Sequence, residues 1–400
     1  MTELLPHAAI APRHQEADRP RDGWAVINAA NAYAGGGATL AQNFLRWLAP
    51  RAIDTMAIVP DQPGFRSLTW SHHLQPVYVA PFSMKGLRRL GYDEIWLPRF
   101  CRRLRARVLF TLGSIGPAHT ECPHSVLLQN SYYAYGDCEA RRRLPFSLRL
   151  RLPWEERLFA RCARNCTTLI AQTPVVAERL QARFALPAAK IEVVGNAVDA
   201  QRLVPLPKVP SRAYRLLMLS RYYSHKNFEL LPLIAQSLMR RGALNIRFIT
   251  TVAKADGAAG SRWLRSLDRH GVAHMFDNRG FVEYEQLPCL YANADAAILP
   301  SLLESSTATY SEAVHFGLPM ITSDLDFARG SCQRAALYCD PLDPEAFADA
   351  IVRLMESPAL AAELVAEGRV MLKHGDLTWD RAAPRLAAAA GIKVLDAPTA

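Results

Sequence analysis

The chain has 400 residues, half of them apolar and 21% charged, with a formal net charge of +10. That length exceeds what one hydrophobic core usually holds, so two domains are expected, and the composition is that of a soluble globular protein. No run approaches the roughly 18 uninterrupted apolar residues that span a bilayer, and residues 1–22 mix Pro, His, Arg and acids, so they are expected to form a disordered tail without a signal peptide.

Residues 24–31 read as a first strand, Gly35, Gly36 and Gly37 as the loop after it, and residues 39–48 as a helix with 3.6-residue apolar periodicity. Short apolar runs predict further strands at 55–60, 76–80, 108–112, 125–129, 167–172 and 191–194, with helices between them. Residues 204–210 hold three prolines and read as a linker. Alternation then restarts with a strand at 215–220, a helix at about 228–240 and strands at 246–250, 296–301 and 320–322. This is the pattern of parallel sheets covered on both faces. The expected fold class is α/β, with two doubly wound Rossmann-like domains facing a central cleft: a tail at 1–22, a first domain at 23–203, a linker at 204–212, a second domain at 213–377, and an end helix in 378–400 that crosses back to the first domain.

Charge is uneven along the chain. Residues 1–200 hold 25 basic and 16 acidic residues, whereas residues 201–400 hold 22 and 21. Nearly all the excess falls in 81–165, with 16 basic residues against 7 acidic ones. Arg102, Arg103, Arg105 and Arg107, then Arg141, Arg142, Arg143, Arg149 and Arg151, form a field suited to phosphates or an anionic leaflet. Leu144, Phe146, Leu148, Leu150, Leu152 and Trp154 are interleaved with it and suit an interfacial helix better than a nucleic-acid groove; a solvated helix face is the alternative. The eight cysteines show no paired zinc spacing and are expected to be buried free thiols. Asp324 and Asp326 form an Asp-x-Asp that reads as turn chemistry, and no metal site is expected.

The densest chemistry lies in the second half. Glu304 follows the strand at 296–301, and Glu312 falls inside the next helix, with Ser305, Ser306 and Thr307 between them. The carboxyl ends of strands are where open α/β sheets bind ligands. Outward-pointing loop amides there favour an anionic or polyhydroxyl ligand. Arg221 and Lys226 follow the strand ending at Ser220 and can neutralise a diphosphate from two directions. Together the four charges describe a nucleotide-sugar site.

These residues resemble the retaining glycosyltransferases of family 4, which have the GT-B fold. The likeness runs from about Trp24 onward. It rests on the Arg-x4-Lys of Arg221 and Lys226, on Gly280-Phe281-Val282, on the segment 293–301 before the Glu-x7-Glu of Glu304 and Glu312, on the segment 313–320, on the helix beginning Thr378-Trp379, and on Gly35–Gly37 and Asn196 in the first domain. The resemblance implies sugar transfer from a nucleotide donor with retention and without a metal. It makes Arg221, Lys226 and Glu304 catalytic, and places Glu312 on the ribose. Ser305, Ser306 and Thr307 would line the sugar pocket, with backbone around Phe281 and Val282 reading the base and Gly36 and Gly37 facing the donor. Gln129 and Asn130 stand where relatives often carry a His; they would position sugar or acceptor, or cap a turn, and Asn196 is placed with them. Ser305 and Thr307 replace glycines of the family pattern, as do Ser220 and Ala197.

The resulting expectation is an enzyme with no cofactor beyond a UDP- or GDP-sugar cosubstrate and a glycan or lipid-linked acceptor, acting in cell-surface polysaccharide or lipopolysaccharide assembly. It would be cytoplasmic, peripheral on the inner face of the membrane through residues 81–165, with no nucleic-acid partner. A nucleotide-sugar epimerase or soluble-acceptor synthase of the same fold stays open, as does, more remotely, a non-catalytic nucleic-acid-binding protein.

Overall fold

The computed structural model describes residues 23–80 and 86–395, so the expected tail lies outside the described residues. It divides into two compact units: one built from the chain up to Gly136, Phe146–Gly195 and Trp379 onward, the other from Asp137–Pro145 and Asn196–Thr378. The helices used below are α1 (Gly35–Leu48), α2 (Phe146–Asn165), α3 (Leu230–Arg240), α4 (Gly257–Arg269), α5 (Leu287–Ala292), α6 (Ala308–His315) and α7 (Trp379–Ala389).

The first unit is a seven-stranded parallel sheet of β1 (Ala25–Asn28), β2 (Thr55–Pro60), β3 (Leu74–Val79), β4 (Val108–Leu112), β5 (His124–Leu127), β6 (Thr168–Ala171) and β7 (Ile191–Val193), in the order β3-β2-β1-β4-β5-β6-β7. Every residue of β1, β2, β4 and β5 is buried, as in a sheet covered on both faces. Gly35–Gly37 are not a loop but the first turn of α1, with Gly35 at φ +62°. The amides of a first turn have no intrahelical acceptor in any case, so low helix propensity costs least there. α7 packs on α1 and is tied to the sheet by Ser125 Oγ donating to the Ala389 carbonyl (3.3 Å) and Arg385 to the Val193 carbonyl (3.0 Å).

The second unit is a six-stranded parallel sheet of β8 (Tyr214–Met218), β9 (Ile246–Thr250), β10 (Phe276–Asn278), β11 (Ala296–Leu299), β12 (Met320–Ser323) and β13 (Ala336–Cys339), in the order β10-β9-β8-β11-β12-β13. α3 shows why the elements form where they do: Leu231, Ile234 and Leu238 recur at three- and four-residue spacing and are fully buried against Phe248 and Phe347. Each such side chain contributes roughly 1.5–3 kcal/mol.

The expected boundaries of 23–203 and 213–377 shift. Asn196–Leu203 belongs to the second unit, because the Val198 amide donates to the Leu377 carbonyl (2.8 Å), Ser311 Oγ to the Asn196 carbonyl (3.2 Å), and His315 Nε2 bonds the Leu203 carbonyl (2.6 Å). Asp137–Pro145 joins it too, through Arg143 Nη1 donating to Asn227 Oδ1 at 2.7 Å. The Pro-rich segment runs without helix or strand and is held by Lys208 pairing with Asp295 at 2.8 Å and the Val209 amide donating to the Ala292 carbonyl. All eight cysteines are free; five are buried as expected, Cys122 and Cys138 are half-buried, and Cys289 is exposed within the short helix α5.

Candidate active site

In the second sheet the strand order reverses between β8 and β11, so the loops leaving those two strands emerge side by side. The β8 loop carries Arg221 and Lys226, and the β11 loop carries Glu304. Hydrogen bonds bind the loops to one another: the Leu302 amide donates to the His225 carbonyl (2.7 Å), and Asn227 Nδ2 donates to the Pro300 (3.0 Å) and Pro341 (2.8 Å) carbonyls. Asn227 closes the single turn Ser224–Lys226 at φ +59°, a left-handed conformation that Asn tolerates better than most residues.

Lys226 and Glu304 form a buried ion pair, Nζ to Oε1 at 2.6 Å, with side chains only 11% and 9% exposed. Glu312 lies in α6, buried, and accepts the Tyr291 hydroxyl at 2.8 Å. Tyr291 is held flat against Phe316, with ring centroids 4.3 Å apart. Burial pushes the Glu312 carboxyl up to about 7, against the opposing pull of the Tyr291 hydroxyl and the Lys226 charge. Burial likewise drives His225 down to about 4, so its imidazole is neutral at neutral pH. Arg221 Nε donates to Asp256 Oδ1 (2.8 Å), while the other oxygen of Asp256 accepts the Tyr222 and Ala253 amides, both at 3.0 Å. Those contacts hold the Asp256 carboxyl below its ordinary range despite its desolvation.

Ser305, Ser306 and Thr307 lead directly into α6, with Thr307 at its N-cap position. Asn196, expected beside Gln129 and Asn130 in the first domain, instead belongs to this unit. Its Nδ2 donates to the Ser306 carbonyl (3.2 Å) and its Oδ1 accepts the Ala197 amide (2.9 Å), so it braces the loop. Phe281 and Val282 follow β10, which β9 separates from β8, and Phe281 is 69% exposed. Asp324 pairs with Arg329 (2.8 Å) and Asp326 Oδ1 accepts the Phe327 amide (2.8 Å), which is turn chemistry. Among the described residues no cluster of three His, Cys, Asp or Glu could hold a metal ion.

In the first unit the structure brings Gly37 and Gln129 together: a Cβ on Gly37 would lie 2.9 Å from Gln129 Oε1, whereas one on Gly36 would meet nothing. The Gln129 and Asn130 amides both donate to Ser114 Oγ at 2.9 Å, and Asn130 Oδ1 accepts the Tyr132 amide, capping a short turn. Sequence reasoning missed Asp256, Tyr291 and Asn227. Asp256 and Tyr291 lie in other segments than the groups they hold and carry no motif; Asn227, next to Lys226, was signalled only by its tolerance of a left-handed turn.

The family model described as Glycosyltransferase Family 4 matches residues 34–202, and the one described as Glycosyl transferases group 1 matches residues 213–357. The chain belongs to glycosyltransferase family 4. A D-inositol 3-phosphate glycosyltransferase of Paenarthrobacter aurescens is 24% identical over 240 residues, which span 57% of each chain. Solved structures show the GT-B fold. Sucrose-phosphate synthase from Thermosynechococcus elongatus superposes with a TM-score of 0.72 at 15% identity, covering 92% of this chain and 98% of that one. WaaG, a glycosyltransferase involved in lipopolysaccharide biosynthesis, gives 0.70 at 14%, and Anabaena HepE in complex with UDP-glucose gives 0.70 at 13%, each covering 92% of this chain and 99% of the other. This family 4 glycosyltransferase therefore carries its charged residues where its sheet order reverses.

Proposed function

We propose that the protein transfers a hexose from a UDP- or GDP-sugar, with retention and without a metal, to a glycan or lipid-linked acceptor in cell-surface polysaccharide or lipopolysaccharide assembly. The observation that carries the reading is the buried Lys226–Glu304 pair at the β8/β11 switch point, with Glu312 close enough for Lys226 to act on its carboxyl. In this reading the donor diphosphate takes over Lys226 and releases Glu304 to accept hydroxyls of the donor sugar. Lys226 and Arg221 then oppose the negative charge that develops on the leaving diphosphate, which is where a fixed cation accelerates the reaction. As the glycosidic bond loosens, the anomeric carbon gains oxocarbenium character. Glu312, once ionised, accepts the ribose hydroxyls. Ser305, Ser306 and Thr307 line the sugar pocket, Phe281 and Val282 flank the base, Gly36 and Gly37 face the donor, and Gln129 and Asn130 position the sugar or acceptor. HepE was solved with UDP-glucose, which supports a nucleotide-sugar donor here.

The acceptor side is assigned to the basic first unit on the inner face of the cytoplasmic membrane. No helix among the described residues is long and apolar enough to cross a bilayer, so this attachment would be peripheral. The test is a chelator-treated transfer assay with UDP-, GDP-, ADP- and TDP-sugars and extracted lipid-linked glycans. An α-linked product that disappears in Lys226→Ala and Glu312→Ala supports the reading. Unchanged turnover in both variants contradicts it, and product formed with no acceptor present identifies an epimerase.

A further inference from the structure

Helix α2 carries an exposed apolar stripe that the donor site does not use. Phe146 is 74% exposed, Leu150 66% and Trp154 37%. They stand four residues apart, so on an ideal helix they fall within about 80° of arc. The far side of the same helix supplies Leu152, Phe159 and Ala163 to the core, and Ala160, nearer the stripe's edge, is buried as well. The helix is therefore already anchored, and the stripe is surplus to folding. Isolated exposed apolar residues are ordinary, but three large ones aligned along one helix mark an interaction surface.

Charge identifies what fits that surface. Exposed Arg149 and Arg157 fall beside and within the stripe, and neither forms an ion pair among the described residues. Of the acids of α2, Glu155 faces away from the stripe and Glu156 lies on Arg149's side of the helix, but both are engaged, Glu155 with Arg151 at 2.7 Å and Glu156 with Arg183 at 2.9 Å. Not all the arginines of this region contribute: Arg107 donates to the Gly23 and Ile53 carbonyls at 2.6 Å, and Arg89 is buried against Asp93 at 2.8 Å. What remains is an aromatic and aliphatic stripe set among guanidinium groups, with no carboxylate on it.

We propose that this stripe seats α2 in the plane of an anionic phospholipid bilayer, with Phe146, Leu150 and Trp154 at the boundary between headgroups and acyl chains and Arg149 and Arg157 on lipid phosphates. A helix of this kind combines apolar burial with attraction to anionic headgroups, and Trp is favoured at that depth. The proposal deepens the membrane-facing reading given above and assigns it to one element. It does not depend on the donor chemistry.

Flotation of the full chain with phosphatidylcholine vesicles, with and without phosphatidylglycerol, tests it. The wild type is expected to float only with the phosphatidylglycerol vesicles, less so at high salt. Phe146→Ser/Leu150→Ser/Trp154→Ser should weaken that partition about tenfold or more, and so should Arg149→Glu/Arg157→Glu. Nucleotide release from a soluble donor sugar, read without vesicles, should be unchanged in both variants; its failure in the wild type would count against the transferase reading and leave the vesicle result standing. Equal flotation of wild type and both variants, or no flotation of the wild type, overturns the proposal. A wild-type dimer in solution that the triple variant converts to a monomer also overturns it, since the stripe would then be covered by a second copy.

Discussion

Lys226 Nζ and Glu304 Oε1 stand 2.6 Å apart, and each side chain is about nine-tenths buried, so the two charges proposed to meet the donor already neutralise one another. Removing one leaves the other buried and uncompensated. Lys226→Ala or Glu304→Ala is expected to cost about 3–5 kcal/mol in urea unfolding, whereas the double variant Lys226→Met/Glu304→Leu should lie much closer to wild type. All three should lack transferase activity. A single variant as stable as wild type would contradict the pairing.

Glu312 gives a pH dependence with a definite sign. Its folded carboxyl stands near 7 and its ordinary value is 4.5, so between those limits the folded state binds more protons than the unfolded one. Stability therefore falls as pH rises from 4.5 to 7, by at most about 3 kcal/mol for this group. Glu312→Gln should remove that slope and be the more stable protein at pH 8. Donor affinity should run the other way, falling in the wild type as pH drops through 7 because a protonated Glu312 is a poorer acceptor. Unfolding and nucleotide titrations from pH 5 to 8 measure both.

Asp256 is predicted to position Arg221 rather than to touch substrate. Asp256→Asn keeps an acceptor but loses the charge-assisted bond, so it should weaken nucleoside diphosphate binding about tenfold, from roughly 1.5 kcal/mol of lost interaction. Asp256→Glu should recover part of that loss. Calorimetry with UDP and GDP separates the two, and an Asp256→Asn protein that binds as wild type does would remove Asp256 from the account.

Asn227 combines a left-handed backbone with three side-chain hydrogen bonds. If only the backbone mattered, Asn227→Gly would be neutral or stabilising. It should instead cost about 2–3 kcal/mol, because the Pro300 and Pro341 carbonyls lose their donor inside the core. Thermal unfolding of the Gly and Ala variants decides this.

Gly36 and Gly37 differ though adjacent. Gly36→Ala meets open space and should stabilise by about 0.4 kcal/mol or more by reducing the freedom of the unfolded chain, while Gly37→Ala must displace the Gln129 side chain and forfeit that gain. Comparing their melting temperatures checks the contact.

Much of this was legible in the sequence because parallel strands buried on both faces read as short apolar runs. β2, β4 and β9 fall where such runs predict them, the other predicted strands shift by one to a few residues, and β10 and β13, of three and four residues, are not among the predicted strands. Gly35–Gly37 were misread as a loop since glycine propensity describes helix interiors, not first turns. The domain limit at Gly195 was hidden because composition marks prolines, whereas the bonds Val198–Leu377 and Leu203–His315 that assign 196–203 join residues far apart in the chain. For the same reason Arg221, Lys226, Glu304 and Glu312 could be picked out by type and spacing, while Asp256 and Tyr291, which orient two of them, could not.

If the residues at the β8/β11 switch point form the proposed nucleotide-sugar donor site, ligand-induced thermal stabilisation with UDP, GDP and their sugars reads it out. At 100 times its dissociation constant a true donor adds about 2.7 kcal/mol to the wild type, and that gain should vanish in Lys226→Met/Glu304→Leu and shrink in Glu312→Gln. A wild type indifferent to every nucleotide, or variants stabilised as fully as the wild type, would contradict it.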